Sequence, residues 1–134
     1  MTKADIPDEV RRFILTSVPS VPYLEAIILL RAEPKGPWDA QRLSRRLYLP
    51  EPRTAELLQA LAAAGIAEPA QQEASQRESE AFRFKPATPE LDAMLDQLTR
   101  VYAGDLMGVT DLIHSRVDKR AQQFADAFRW RKDS

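Results

Sequence analysis

Few side chains in this sequence could take part in covalent or metal chemistry. The 134 residues include a single histidine, His114, and no cysteine, so disulfides, thiolate chemistry and zinc fingers are excluded. His114 falls on the polar side of a predicted helix, where a lone histidine is far more often a surface residue than a general base. Acid pairs such as Asp92 with Asp96 lie on helix surfaces with no sign of a cleft. The sequence therefore predicts no enzyme, no metal site and no cofactor.

Arginine side chains suggest a different chemistry, contact with nucleic acid. A cluster of three arginines lies on one predicted helix, and Arg53 stands at the start of the next. Arginine binds phosphate oxygens and the edge of guanine, while Gln59 could pair with adenine and Glu56 could accept from a cytosine amino group. One further arginine lies in a predicted hairpin tip and could reach a minor groove. The candidate DNA-binding residues are Arg42, Arg45, Arg46, Arg53, Glu56, Gln59 and Arg77. The alternative is that the arginine cluster forms a solvated helix face paired with nearby acids.

Two short amphipathic helices between Asp39 and Gly65 must position these side chains. Asp39 is a good N-cap for the first helix, and we expect Pro52 at the first position of the second. Gly65 supplies the left-handed residue common after a helix C-terminus. This pattern predicts a helix-turn-helix. The expected inward side of its second helix is Thr54, Leu57, Leu58 and Leu61, and the expected outward side is Pro52, Glu56, Gln59, Ala60 and Ala63.

The flanking segments predict a mainly α, α+β fold of the winged helix-turn-helix type. Helices are expected at 5–18 and 20–33, and the second is apolar almost all round, as a central core helix would be. Trp38 is expected to pack over this core from a short extended segment. Short strands are expected at 66–68 and 81–85, joined by a polar hairpin tip that forms the wing.

A long helix is predicted from Glu90 to Arg116, and a last helix from Asp118. The helix at 90–116 cannot be stable alone in water, so it must lie against the winged helix or against a second copy of itself. An apolar stripe this long favours the second copy or a mixture of both. The expected dimerisation residues are Leu91, Leu95, Leu98, Tyr102, Val109, Leu112 and Ile113. The predicted domains are therefore residues 1–86, the winged helix with its N-terminal helix, and 87–134, a helical extension that makes a dimer.

The chain resembles bacterial winged-helix transcriptional regulators of the broad MarR-like and PadR-like type. The residues that carry the resemblance are the core helix YLEAIILL, the pair DAQRLSRRL and TAELLQALAAAGI, and the strand AFRF. The closing FADAFRWRKD is also similar to the ending of a group of uncharacterised small bacterial winged-helix proteins. The resemblance implies a homodimeric regulator that binds double-stranded DNA and dimerises through its C-terminal helix.

The charge of the chain argues against DNA binding and leaves a second function open. The net charge of the chain is −1, and the predicted wing from Glu68 to Glu80 holds four acids against one base, an excess of three negative charges. Acidic wings are repelled by phosphate. A winged helix that binds another protein, without binding DNA, is the alternative.

Two further features of the sequence indicate where the protein resides. The N-terminal residues lack the basic and then apolar pattern of a secretory signal. No apolar run approaches the roughly 20 residues that span a bilayer. We therefore expect a cytoplasmic protein that does not bind membranes.

Overall fold

The computed structural model describes residues 6–70 and 80–115, which form six helices and one two-stranded sheet. In chain order the elements are α1 (Asp8–Ser17), α2 (Val21–Ala32), α3 (Ala40–Leu47), α4 (Glu51–Ala63), β1 (Ala67–Pro69), β2 (Phe82–Phe84), α5 (Pro89–Gly104) and α6 (residues 106–115). This order confirms the predicted α+β winged helix-turn-helix.

Contacts within the chain divide it into two compact units. One consists of residues 22–96, and the other combines α1 with the described residues from position 97 onward. The division therefore passes through α5. The predicted domains, 1–86 and 87–134, stay a prediction.

Helix α2 supplies much of the apolar interior of the larger unit. Its buried residues are Tyr23, Leu24, Ala26, Ile27 and Leu30. Burial on several sides explains why its apolar residues show so little one-sided periodicity, and it confirms α2 as the predicted core helix. At its C-terminal end Arg31 forms an ion pair with Asp96 of α5, which ties these two helices together within the same unit. Asp96 is therefore one half of an ion pair rather than a solvated acid.

Helices α3 and α4 form the predicted helix-turn-helix. The Asp39 carboxylate accepts a hydrogen bond from the Arg42 amide at 2.8 Å, which confirms Asp39 as the N-cap of α3. The hydroxyl of Thr54, fully buried in α4, donates to the Ala40 carbonyl at 2.8 Å and links the two helices. Pro50 is the N-cap of α4 and Pro52 the second helical residue, so the expected helix start was wrong by one position. Proline is tolerated there because first-turn amides have no partner within the helix.

The end of α4 has the expected glycine cap. Gly65 has a φ of +78°, its amide donates to the Ala62 carbonyl at 3.1 Å, and the Ile66 amide donates to the Leu61 carbonyl at 2.9 Å. This pair of bonds is the Schellman arrangement, which satisfies carbonyls that the helix itself leaves free. It also turns the chain directly into β1.

The wing is anchored to the segment before the helix-turn-helix. Strands β1 and β2 are antiparallel, with Ala67 opposite Phe84 and Pro69 opposite Phe82. Trp38, only 1% exposed, bridges to Phe82 through two backbone hydrogen bonds of 2.8 and 2.9 Å. Both strands were predicted within one residue of these bounds, and Trp38 packs as expected. Residues 71–79 of the expected wing tip, which include Arg77, lie outside the described residues.

The predicted continuous helix from Glu90 to Arg116 was wrong, because Asp105 interrupts it between α5 and α6. The Asp105 carboxylate accepts from the Gly108 amide at 3.0 Å, as an N-cap does, and the Val109 amide donates to the Asp105 carbonyl at 3.1 Å. Aspartate competes for nearby amides in this way, which favours helix ends over helix interiors. The predicted helix from Asp118 and the basic C-terminal residues lie outside the described residues.

No single helix among the described residues is long and apolar enough to cross a membrane, and α1 and α2 meet that criterion only when taken together across the break between them.

Candidate nucleic-acid interface

The outward face of α4 is exposed, as the leucine spacing predicts. Its inward residues Thr54, Leu57, Leu58 and Leu61 are buried. The residues exposed on its other side are Glu51, Pro52, Arg53, Ala55, Glu56, Gln59, Ala60 and Ala63. Arg53, Glu56 and Gln59 can therefore reach a ligand without any change in the helix. We call this set of exposed residues the α4 outer face.

Arg42, one of the predicted backbone contacts, is held by its own domain. Its guanidinium lies 3.9 Å from the centroid of the Trp38 ring. One guanidinium nitrogen is 2.6 Å from a Glu33 carboxylate oxygen, and another donates to the Pro37 carbonyl at 2.9 Å. These three contacts cover the buried Trp38 and fasten α3 to the segment before it. Sequence reasoning missed this structural role.

The other arginines of the cluster are more accessible. Arg45 and Arg46 are exposed in the last turn of α3, and Arg53 is exposed in the first turn of α4. Arg46 has a distant contact with Trp38, 6.0 Å from the ring centroid. Within residues 6–70 and 80–115, the side chains of Arg45 and Arg53 make no ion pair or hydrogen bond. The helix-turn-helix therefore presents two uncompensated cations on either side of its turn.

Polar contacts connect α4 to the base of the wing. The Gln59 amide nitrogen donates to a Glu80 carboxylate oxygen at 3.0 Å. On the two strands, the Arg83 side chain donates to the Glu68 carboxylate at 2.6 Å, which offsets one of the four acids counted in the wing. Glu56 is exposed and has no side-chain partner among the described residues. The Gln59 amide nitrogen is therefore already engaged within the domain, whereas the Glu56 carboxylate is accessible.

The seven predicted dimerisation residues divide into two groups. Leu91 and Leu112 are half-buried, whereas the single chain buries the other five, which are Leu95, Leu98, Tyr102, Val109 and Ile113. Two apolar residues that were not predicted are well exposed at the start of α6, Leu106 at 53% and Met107 at 65%. The only sequence signal that could have singled them out is the aspartate before them, which begins a new helix.

The part of the chain that the structure describes contains no group of three histidine, aspartate or glutamate side chains placed to hold a metal ion.

Comparison with known proteins shows that the fold of this chain is similar to that of solved structures. No protein-family model matches the chain, and no curated protein matches it. The PcaV transcriptional regulator from Streptomyces coelicolor, in complex with its natural ligand, superposes with a TM-score of 0.53 at 18% identity, covering 94% of this chain and 83% of that one. A second structure of PcaV gives 0.51 at 17% identity, covering 93% and 85%. RV1404 from Mycobacterium tuberculosis gives 0.52 at 15% identity, covering 77% and 68%. The chain thus has a winged-helix fold, similar to that of the PcaV transcriptional regulator.

Proposed function

We propose that this protein is a cytoplasmic, homodimeric transcriptional regulator that binds double-stranded DNA through α3 and α4. The observation that carries the proposal is the exposed α4 outer face with the uncompensated Arg45 and Arg53 beside it. The likeness to the PcaV transcriptional regulator supports it at the level of the fold. Nothing in the described site has the arrangement of an enzyme's acid, base or nucleophile.

Each candidate residue has a role that follows from its position. In a helix-turn-helix the second helix enters the major groove and the first crosses the backbone. Arg53, Glu56 and Gln59 then face base edges, and Arg45 and Arg46 contact phosphates. Arg77 is assigned to the minor groove on sequence grounds alone. We assign Arg42 to holding α3 against Trp38 rather than to the DNA.

Binding to fragments of genomic DNA at low salt tests this proposal. A regulator of this type must form a complex with at least some fragments, and excess unlabelled DNA should compete more weakly when its sequence is unrelated. The absence of any complex at low salt would overturn the proposal. Binding to all fragments with equal affinity would leave a DNA-binding protein without the sequence preference of a regulator.

Dimerisation belongs to the same proposal, because a symmetric pair of α4 helices would read two half-sites. The accessible members of the predicted set, Leu91 and Leu112, are half-buried, and Leu106 and Met107 add two exposed apolar side chains at the start of α6. Exposed apolar residues of this size favour association. We place the dimer contact at α6 and the exposed positions around it, whereas the five buried residues support the core of the single chain.

Light scattering at micromolar concentration tests the dimer. We expect a mass of twice the 15.2 kDa chain, and the double variant L106E/M107E should reduce it toward the single-chain mass. The matched control is Ala55→Glu, which places a charge at an exposed position of α4 and should leave the mass unchanged. A wild-type protein of single-chain mass would contradict dimerisation.

A second candidate function, binding of a protein partner without DNA, is favoured by the composition of the α4 outer face. Ala55, Ala60 and Ala63 are exposed there, and Arg53 is its one cation among the eight exposed residues. Small apolar side chains suit a packed protein interface better than a phosphate backbone. This alternative predicts that Ala60→Glu abolishes partner capture while no DNA fragment binds at low salt.

A further inference from the structure

Tyr48 occupies an unusual position in the turn between α3 and α4. It is the C-cap of α3, with a φ of 58° and a ψ of 44°, and it is the only residue other than glycine with a positive φ among those described. Its side chain is 90% exposed. Left-handed backbone is strained for a residue with a bulky side chain and is ordinarily occupied by glycine or asparagine.

Among residues 6–70 and 80–115, nothing offsets this strain. The Tyr48 amide donates to the Ser44 carbonyl, but a glycine amide would make the same bond. The side chain has no hydrogen bond or ring contact with the described residues, and at 90% exposure it gains almost nothing from packing. Strained residues of this kind are concentrated at functional sites, where an external ligand gives the side chain its use.

The surroundings of Tyr48 indicate which ligand this is. Arg45 and Arg46 stand in the last turn of α3 just before it, and Arg53 lies in the first turn of α4 just after it. An exposed phenol between cations and a helix N-terminus suits an anion, since arginines, helix N-terminal amides and tyrosine hydroxyls all bind phosphate. In a docked helix-turn-helix the turn lies near the edge of the major groove, where the sugar-phosphate backbone passes.

We propose that the Tyr48 hydroxyl donates a hydrogen bond to a phosphate of the DNA backbone and so fixes how α4 enters the groove. This inference rests on the proposed function. The ring is 90% exposed, and Arg45 and Arg46 just before it attract the phosphates that the hydroxyl then binds. Tyr48 is a positioning contact: it adds affinity on every sequence and reads no base.

The substitution Y48F isolates the hydroxyl. It should weaken binding roughly tenfold on matched and unrelated DNA alike, as expected for a lost hydrogen bond to a charged group. The slope of log affinity against log salt should stay that of the wild type, because a neutral donor releases no counterion. Arg45→Gln is the matched contrast, since it should lower the magnitude of that slope by about 0.9. Affinity of Y48F equal to that of the wild type would overturn the proposal.

The substitution Y48G separates binding from folding. It should weaken DNA binding at least as much as Y48F, while the Tm is unchanged or rises by about 2–4 °C as the strain is relieved. A fall in Tm of more than about 4 °C would show that the side chain supports the fold and would overturn the proposal. Wild-type protein that binds no DNA would overturn the proposed function as well, whereas a binding wild type with unaffected Tyr48 variants would overturn this inference alone.

Discussion

Arg42 and Arg45 lie three positions apart on α3, yet their surroundings differ completely. The Arg42 guanidinium contacts the Trp38 ring, the Glu33 carboxylate and the Pro37 carbonyl, whereas Arg45 is exposed and has no side-chain partner among the described residues. A cation on an aromatic face contributes about 0.5–1 kcal/mol at exposed sites, and an exposed ion pair about as much or less. The two arginines can therefore be tested separately, Arg42 for stability and Arg45 for the proposed DNA contact.

We predict opposite effects for the substitutions R42Q and R45Q. R42Q should lower the free energy of unfolding by about 1 kcal/mol and leave DNA affinity nearly unchanged when measured well below the Tm. R45Q should leave stability unchanged within about 0.5 kcal/mol and weaken DNA binding. Urea unfolding and a DNA titration on the same preparations measure both quantities. A larger loss of affinity in R42Q than in R45Q would contradict these assignments.

Sequence reasoning finds exposed arginines more easily than it finds their partners. Arg42, Arg45 and Arg46 share one helical face in the sequence, so periodicity alone cannot distinguish them. The distinction arises from the turn after α2, which pairs Glu33 with Arg42 alone and brings the Trp38 ring to 3.9 Å from Arg42 but only to 6.0 Å from Arg46. The partner of Gln59 could not be predicted either, because Glu80 is 21 positions away along the chain.

Among the helices and strands, the junction between α5 and α6 is the largest departure from expectation. The apolar residues continue at spacings of three and four on both sides of Asp105, so the stripe itself gives no sign of a break. What interrupts the helix is the carboxylate of Asp105, which accepts from the Gly108 amide and starts a new first turn. One consequence is that Leu106 and Met107 become exposed apolar residues at a helix start.

The capping role of Asp105 can be measured directly. Asp105→Ala should lower the free energy of unfolding by about 1 kcal/mol, because the first-turn amide of α6 loses its acceptor, and Asp105→Asn should retain most of the stability. Asp111→Ala is the control, since Asp111 is exposed within α6 and has no side-chain partner among the described residues. Urea unfolding should show no comparable loss for it. Equal losses in the two alanine variants would contradict the capping role.

The helix-turn-helix itself could be predicted closely from local signals. Asp39 and Gly65 are residues whose backbone preferences mark a helix start and a helix end, and the leucines of α4 recur at helical spacing. These signals are local, so they can be recognised in a single sequence without knowledge of the fold. The one-residue errors at Pro52 and at the two strands occur where several neighbouring residues could begin the element equally well.

In the whole molecule, the negative net charge opposes DNA binding and a few local arginines favour it. A chain with a net charge of −1 cannot bind DNA through its overall field and must rely on local cations. The described residues place Arg45, Arg46 and Arg53 around one turn, and the Arg83 pair offsets Glu68 of the wing. We therefore expect modest non-specific DNA binding that depends strongly on a few arginines.

Dimerisation would also change how much positive charge meets the DNA. Five of the seven predicted apolar positions in α5 and α6 are already buried within the single chain, so the long stripe mainly supports that chain. The exposed Leu106 and Met107 supply the apolar surface that a second copy would cover. A symmetric pair would double the number of arginines that face a single DNA duplex, which compensates for the low charge of each chain.

The salt dependence of DNA binding by the wild type and by the double variant R45Q/R46Q, which removes the two proposed phosphate contacts, tests the proposed function most directly. We predict that the wild type binds at low salt. The double variant should lower the magnitude of the slope of log affinity against log salt by about 1.8 for each chain on the DNA, near 0.9 per lost phosphate contact. The control R11Q/R12Q removes two exposed arginines from α1, outside the helix-turn-helix, and should keep the wild-type slope. A wild type that binds no DNA, or a double variant with the wild-type slope, would contradict the proposal that this protein binds DNA through α3 and α4.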